Sequence, residues 1–108
     1  MYVIRIGSET SKKLEIIKVH FLEKSGKMLR KKQILKGIIK DYFNDVDFKR
    51  KVDECTKVTN LKTEKDDVNF SVDAEMKVML IKIKVMLGVT DKVATHCLVE
   101  KYYERLPL

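Results

Sequence analysis

The chain has 108 residues, 44% of them hydrophobic, and its 23 Lys/Arg against 16 Asp/Glu give a formal net charge of +7. That length allows one domain, or two very small halves that must share a core. No apolar run approaches a bilayer crossing and the start, "MYVIRIGSE", lacks the pattern of a secretory leader, so a soluble, cytoplasmic protein with no membrane partner is expected.

In "YVIRIG" the side chains alternate, Tyr2, Ile4 and Ile6 on one face and Val3 and Arg5 on the other, which predicts a strand with one apolar face. The period then lengthens. Leu14, Ile17, Phe21 and Leu22, with Ile16 beside them, recur at helical spacing, and Ser8, Glu9 and Thr10 supply capping oxygens and an acid suited to a helix start. Gly26 is placed for a left-handed helix terminus, and a second helix follows with Ile34, Leu35, Ile38, Ile39 and Tyr42 on its apolar stripe.

Residues 44–66 read as a linker. Val46 to Val58 is predicted to be a short helix with Phe48, Val52 and Cys55 on one stripe, packing on the bundle or docking a partner protein, and a polar stretch follows it.

From Asp67 the first pattern returns. "DVNFSV" puts Val68, Phe70 and Val72 on one face and Asp67, Asn69 and Ser71 on the other. Asp73 is a candidate N-cap for a helix carrying Met76, Met79, Leu80, Ile83 and Leu87, Gly88 ends it, and Thr90 caps a last helix carrying Val93, Ala94, Cys97, Leu98 and Tyr102. Laying "LRKKQILKGIIKDY" over "VTDKVATHCLVEKY" matches Ile38 to Leu98, Ile39 to Val99 and Tyr42 to Tyr102 without a gap. The two copies are offset by 66 positions at the strands and 60 at the second helices, so the first has a helix or turn longer by 6 residues. The expected organisation is a strand–helix–helix unit at 1–43, a linker at 44–66 and a second unit at 67–108.

The charge is local. Residues 1–43 hold 11 Lys/Arg and 4 Asp/Glu, whereas residues 44–66 and 67–108 each hold 6 of either sign. "KSGKMLRKKQILK" concentrates Lys24, Lys27, Arg30, Lys31, Lys32 and Lys36, a field suited to phosphate. Cys55 and Cys97 have no metal-ligand spacing, His20 and His96 complete no zinc site with them, and neither a catalytic constellation nor a glycine-rich phosphate loop is present, so no cofactor, metal or enzymatic activity is expected.

The order of elements in "YVIRIGSETSKKLEIIKVHFLEKSGKMLRKKQILKGIIKDYF" and in "VNFSVDAEMKVMLIKIKVMLGVTDKVATHCLVEKYYERL" resembles the ribbon-helix-helix (MetJ/Arc/CopG) family of DNA-binding proteins, with two units in one chain as in the TraY-type relaxosome accessory proteins of plasmids. The resemblance implies a mainly α fold with a two-stranded antiparallel ribbon, a tandem ribbon-helix-helix pseudo-dimer on one core. It implies that the outward ribbon face enters the major groove of double-stranded DNA, with Val3, Arg5, Asn69 and Ser71 toward the bases. It also implies phosphate contacts at the starts of the second helices, from Lys27, Arg30, Lys31 and Lys32 on one flank and Thr90 and Lys92 on the other. The corresponding role is plasmid or mobile-element accessory binding, partition or transcriptional repression, with further copies of the chain on repeated sites and a relaxase or partition protein as partners, at the nucleoid or a plasmid. The rival expectation is a helical interaction module, antitoxin-like or adaptor, whose basic surface meets an acidic partner.

Overall fold

Two five-residue strands, β1 (Tyr2–Ile6) and β2 (Val68–Val72), pair antiparallel as a two-stranded ribbon. The computed structural model describes residues 2–107; Met1 and Leu108, the outermost residues of the two expected units, lie outside the described residues. Ile4, Ile6 and Val72 are buried beneath the ribbon, whereas Val3, Arg5, Asn69 and Ser71 face solvent. Tyr2, expected on the inner face, is exposed at the ribbon's end, although Val72 opposite it is fully buried.

Five helices complete the described chain: α1 (Ser8–Ser25), α2 (Lys31–Asn44), α3 (Val46–Val58), α4 (Ala74–Leu87) and α5 (Asp91–Glu104). Asp73 accepts a hydrogen bond from the Met76 N–H at 2.8 Å and starts α4, and Thr90 accepts from the Val93 N–H at 3.3 Å and starts α5. α1 starts differently: its N-cap is Gly7, without a side-chain cap, and the Ser8 hydroxyl donates instead to Asp66 at 2.9 Å. Gly26 and Gly88 end α1 and α4 with φ of 69° and 65°, a left-handed conformation that L side chains adopt only under strain.

The two strand–helix–helix runs bury equivalent positions. Thr10, Leu14 and Ile17 of α1 are buried, and so are Met76, Leu80 and Ile83 of α4, each 66 positions later. Ile34, Leu35, Ile38 and Ile39 of α2 are buried, and so are Ala94, Thr95, Leu98 and Val99 of α5, each 60 positions later. The difference of six residues divides in two: α1 has 18 residues against 14 in α4, and five residues rather than three connect to the next helix.

The halves interlock, with α1 packed on α5, α2 on α4 and α2 on α5. The radius of gyration of 13.1 Å is that of one compact domain of this length, so the halves fold onto each other rather than standing apart. Burying each Leu, Ile or Val side chain in this layer contributes about 1.5–3 kcal/mol, and neither half contains enough of them to stand alone.

α3 breaks the symmetry. It packs on α5 and α2 through Phe48, Val52 and Thr56, while Cys55, expected on that stripe, is only partly covered. Val93 and Cys97 of α5 are buried, whereas their α2 counterparts Gln33 and Gly37 are exposed, which marks the side of the bundle that α3 covers. The Tyr42 hydroxyl donates to Asp53 at 2.7 Å, and the Arg105 guanidinium lies 4.7 Å from the ring centroids of Phe48 and Tyr102.

Some apolar residues stay outside. Ile16 and Leu22, read as part of the α1 stripe, are exposed because the stripe runs along Leu14, Ile17 and Phe21. α4 also turns Val78, Ile81, Val85 and Met86 to solvent. No described helix is long and apolar enough to cross a membrane.

Candidate nucleic-acid interface

The outward ribbon face is built from two cross-strand pairs, Val3 opposite Ser71 and Arg5 opposite Asn69. The pleat puts these four side chains on one surface, about 7 Å apart along each strand, and a two-stranded ribbon is narrow enough to enter a major groove about 12 Å wide. Val3 remains 57% exposed, an apolar side chain held in water. One Arg5 nitrogen donates to the backbone oxygen of Asp67 at 3.3 Å, which steadies the stem and leaves the other donors of the fork available. Asn69 and Ser71 are exposed.

The two flanks differ in charge. At the start of α2, Lys27, Arg30 and Lys32 have no carboxylate within ion-pair distance among the described residues, and the first turn holds no acid. The Arg30 N–H donates to Gln33 Oε1 at 2.8 Å, so one helix-end donor is satisfied while the Arg30 side chain reaches outward. Lys31 is engaged: its ammonium donates to Ser11 Oγ at 3.2 Å and pairs with Glu15 at 3.4 Å.

At the start of α5 the side chains of Thr90, Asp91 and Lys92 are engaged within the chain. Thr90 Oγ1 caps the helix, Asp91 lies 3.1 Å from Lys84, and Lys92 is drawn inward, its side chain 12% exposed and its ammonium 2.9 Å from Asp67. The Asp67 side chain is only 2% exposed and also accepts from the Glu64 N–H at 2.9 Å. The Glu64 N–H first, then the Lys92 ammonium, hold the Asp67 carboxyl below the usual carboxylate range. Lys92 donates to the Lys62 carbonyl as well, so the polar stretch after α3 is strapped across this helix start. An open groove lined by Val3, Arg5, Thr63, Asp67, Thr90 and Lys92 joins the ribbon face to it.

No protein-family model, curated protein or solved structure matches the chain.

Arg5, Asn69, Val3 and Ser71 thus share one face, and Lys27, Arg30 and Lys32 share the open flank. Lys31 and Lys92 lie in ion pairs, and Thr90 is occupied as a cap. Sequence reading missed the strap: Asp67 and Lys92 are 25 positions apart, and no periodicity signals a pairing between a strand's leading residue and a helix start. Among the described residues no group of three or more His, Cys, Asp or Glu could hold a metal ion. His96 is half-buried on α5, and burial holds its imidazole below the usual value.

Proposed function

We propose that the chain is a tandem ribbon-helix-helix pseudo-dimer that binds double-stranded DNA, reading the major groove with the face formed by Val3, Arg5, Asn69 and Ser71. The observation that carries this reading is the ribbon register. Two strands 66 positions apart in the chain pair so that their outward polar side chains form one patch over a shared core.

The chemistry of the patch suits bases. Arg5 matches guanine O6 and N7, Asn69 matches adenine N6 and N7, Ser71 donates or accepts, and Val3 meets a thymine methyl. Lys27, Arg30 and Lys32 with the α2 N-terminus grip a backbone phosphate on one flank. The α5 flank contributes backbone N–H groups and little free charge, so the chain sits on DNA asymmetrically. Accessory binding on a plasmid or mobile element, partition and repression all use this contact, and repeated sites would seat several chains.

The test is duplex binding followed by fluorescence anisotropy across salt. Three phosphate contacts give an affinity that falls about 40-fold between about 50 and about 200 mM salt. No binding to mixed duplex at low salt overturns the proposal.

A second reading, the helical interaction module, is favoured by the outward apolar residues Val78, Ile81, Val85 and Met86 of α4. It predicts a chain whose surface mutations on α4 abolish its activity while those on the ribbon do not.

A further inference from the structure

Cys55 on α3 and Cys97 on α5 lie 42 positions apart in the chain, yet both thiols converge on one hydroxyl. Cys55 Sγ is 3.5 Å and Cys97 Sγ 3.6 Å from Thr59 Oγ1. The Thr59 hydroxyl is itself committed as a donor to the Cys55 carbonyl at 2.7 Å, so its oxygen accepts from the two S–H groups. Two sulfurs that share one oxygen neighbour at these distances lie in one small site between α3 and α5, and burial first, then Cys55, pushes the Cys97 thiol up, to about 12.

Their exposures differ in a useful way. Cys97 is buried, and Cys55 is partly exposed in an open groove with Lys51, Glu54, Val58 and Lys101. An oxidant therefore reaches Cys55, and the nearest group able to react with the product is Cys97.

We propose that Cys55 and Cys97 form a peroxide-oxidisable dithiol that closes into a disulfide clipping α3 to α5. In the first step the Cys55 sulfur attacks one oxygen of a hydroperoxide. The O–O bond breaks, Cys55 becomes the sulfenic acid, and the other oxygen leaves as water or an alcohol with the thiol proton. In the second step the Cys97 sulfur attacks the Cys55 sulfur and displaces hydroxide, which leaves as water with the Cys97 proton. Two electrons pass from the two thiols to the peroxide. A reducing dithiol reverses the change.

Exposure assigns the roles: the peroxide meets the partly exposed Cys55, and the buried Cys97 is the resolving thiol. Both S–H groups must turn from Thr59 toward each other, a side-chain rotation within a site where α3 already rests on α5. The bond closes a long loop and constrains the unfolded chain, so oxidation raises the unfolding temperature. This inference does not depend on DNA binding.

The test is to treat the purified chain with hydrogen peroxide, alkylate the remaining thiols, and map peptides by mass spectrometry without reduction. The expected result is a monomer lighter by two hydrogens, a linked Cys55–Cys97 peptide, and an unfolding midpoint several degrees higher that returns on reduction. Cys55→Ser and Cys97→Ser each remove the linked peptide and the shift, and the wild-type peptide map stands even where the buried Cys97 variant folds poorly. Persistence of both thiols, over-oxidation of Cys55 beside an unreacted Cys97, or linkage only between chains overturns the inference.

Discussion

Ile4 and Phe70 face each other across the ribbon, and they are also the equivalent residues of the two halves, 66 positions apart. An antiparallel pairing that sets equivalent residues opposite each other has a local two-fold axis through that pair. Tyr2 opposite Val72 and Ile6 opposite Val68 then exchange under the same rotation. A shift of one residue would lose the axis and turn the inner residues outward.

Because Ile4 is 2% exposed on that axis, truncating it removes packing from both halves at once. Ile4→Ala is expected to lower stability by about 2–4 kcal/mol. Urea unfolding followed by circular dichroism should show one transition, not two, since the halves interlock through α1 with α5 and α2 with α4.

Arg5 carries the most base-specific chemistry on the ribbon face. Arg5→Ala should cost about 1–3 kcal/mol of preference between a selected site and a scrambled duplex, with a smaller loss on the scrambled one. Competition titrations measure both. Equal losses on the two duplexes would make Arg5 a phosphate contact.

Under the proposed DNA-binding role, Asp67 would compete with a backbone phosphate for Lys92. Asp67→Asn retains the shape of the strap and removes the charge that holds the ammonium, so duplex affinity at low salt should rise several-fold. The same variant should show a weaker acid dependence of folding. In the wild type the Asp67 and Asp73 carboxyls lie below their ordinary value of 3.8, Asp67 through the Glu64 N–H and Lys92, Asp73 through the Met76 N–H and Lys36. Their stabilisation is fully present above that value and is lost as pH falls through the depressed folded-state values. Stability should therefore be flat near neutrality and fall below about pH 4, less steeply in Asp67→Asn.

Tyr42 joins α2 to α3 through its buried hydroxyl and Asp53, and burial with that hydrogen bond raises its pKa well above the ordinary phenol range. Tyr42→Phe is expected to lower stability by about 1 kcal/mol, measured by urea unfolding. It should leave duplex binding unchanged, because the hydroxyl lies away from the ribbon face.

The periodic elements were legible in the sequence. Alternation at Tyr2–Ile6 and Val68–Val72, the glycines at 26 and 88, and the caps Asp73 and Thr90 are local signals, and local physics determines them. The spacing also predicted the helix over Val46–Val58. What was not legible depends on contacts between distant segments. The path of residues 59–67 over the start of α5, the withdrawal of Lys92 by Asp67, and the meeting of Cys55 with Cys97 follow from how α3 docks, which no period encodes. The exposure of Ile16 and Leu22 has a similar origin: several adjacent apolar residues define a helix, but only the neighbouring helix selects which of them it covers.

The most direct test is to record amide chemical shifts of the isotope-labelled chain while a duplex is added. The account predicts that the largest changes fall on Val3, Arg5, Asn69 and Ser71, with a second set at Arg30 to Lys32 and a weaker one at Thr90 to Lys92. Changes confined to the outer faces of α3 or α4, or a spectrum that duplex leaves untouched at low salt, would contradict it.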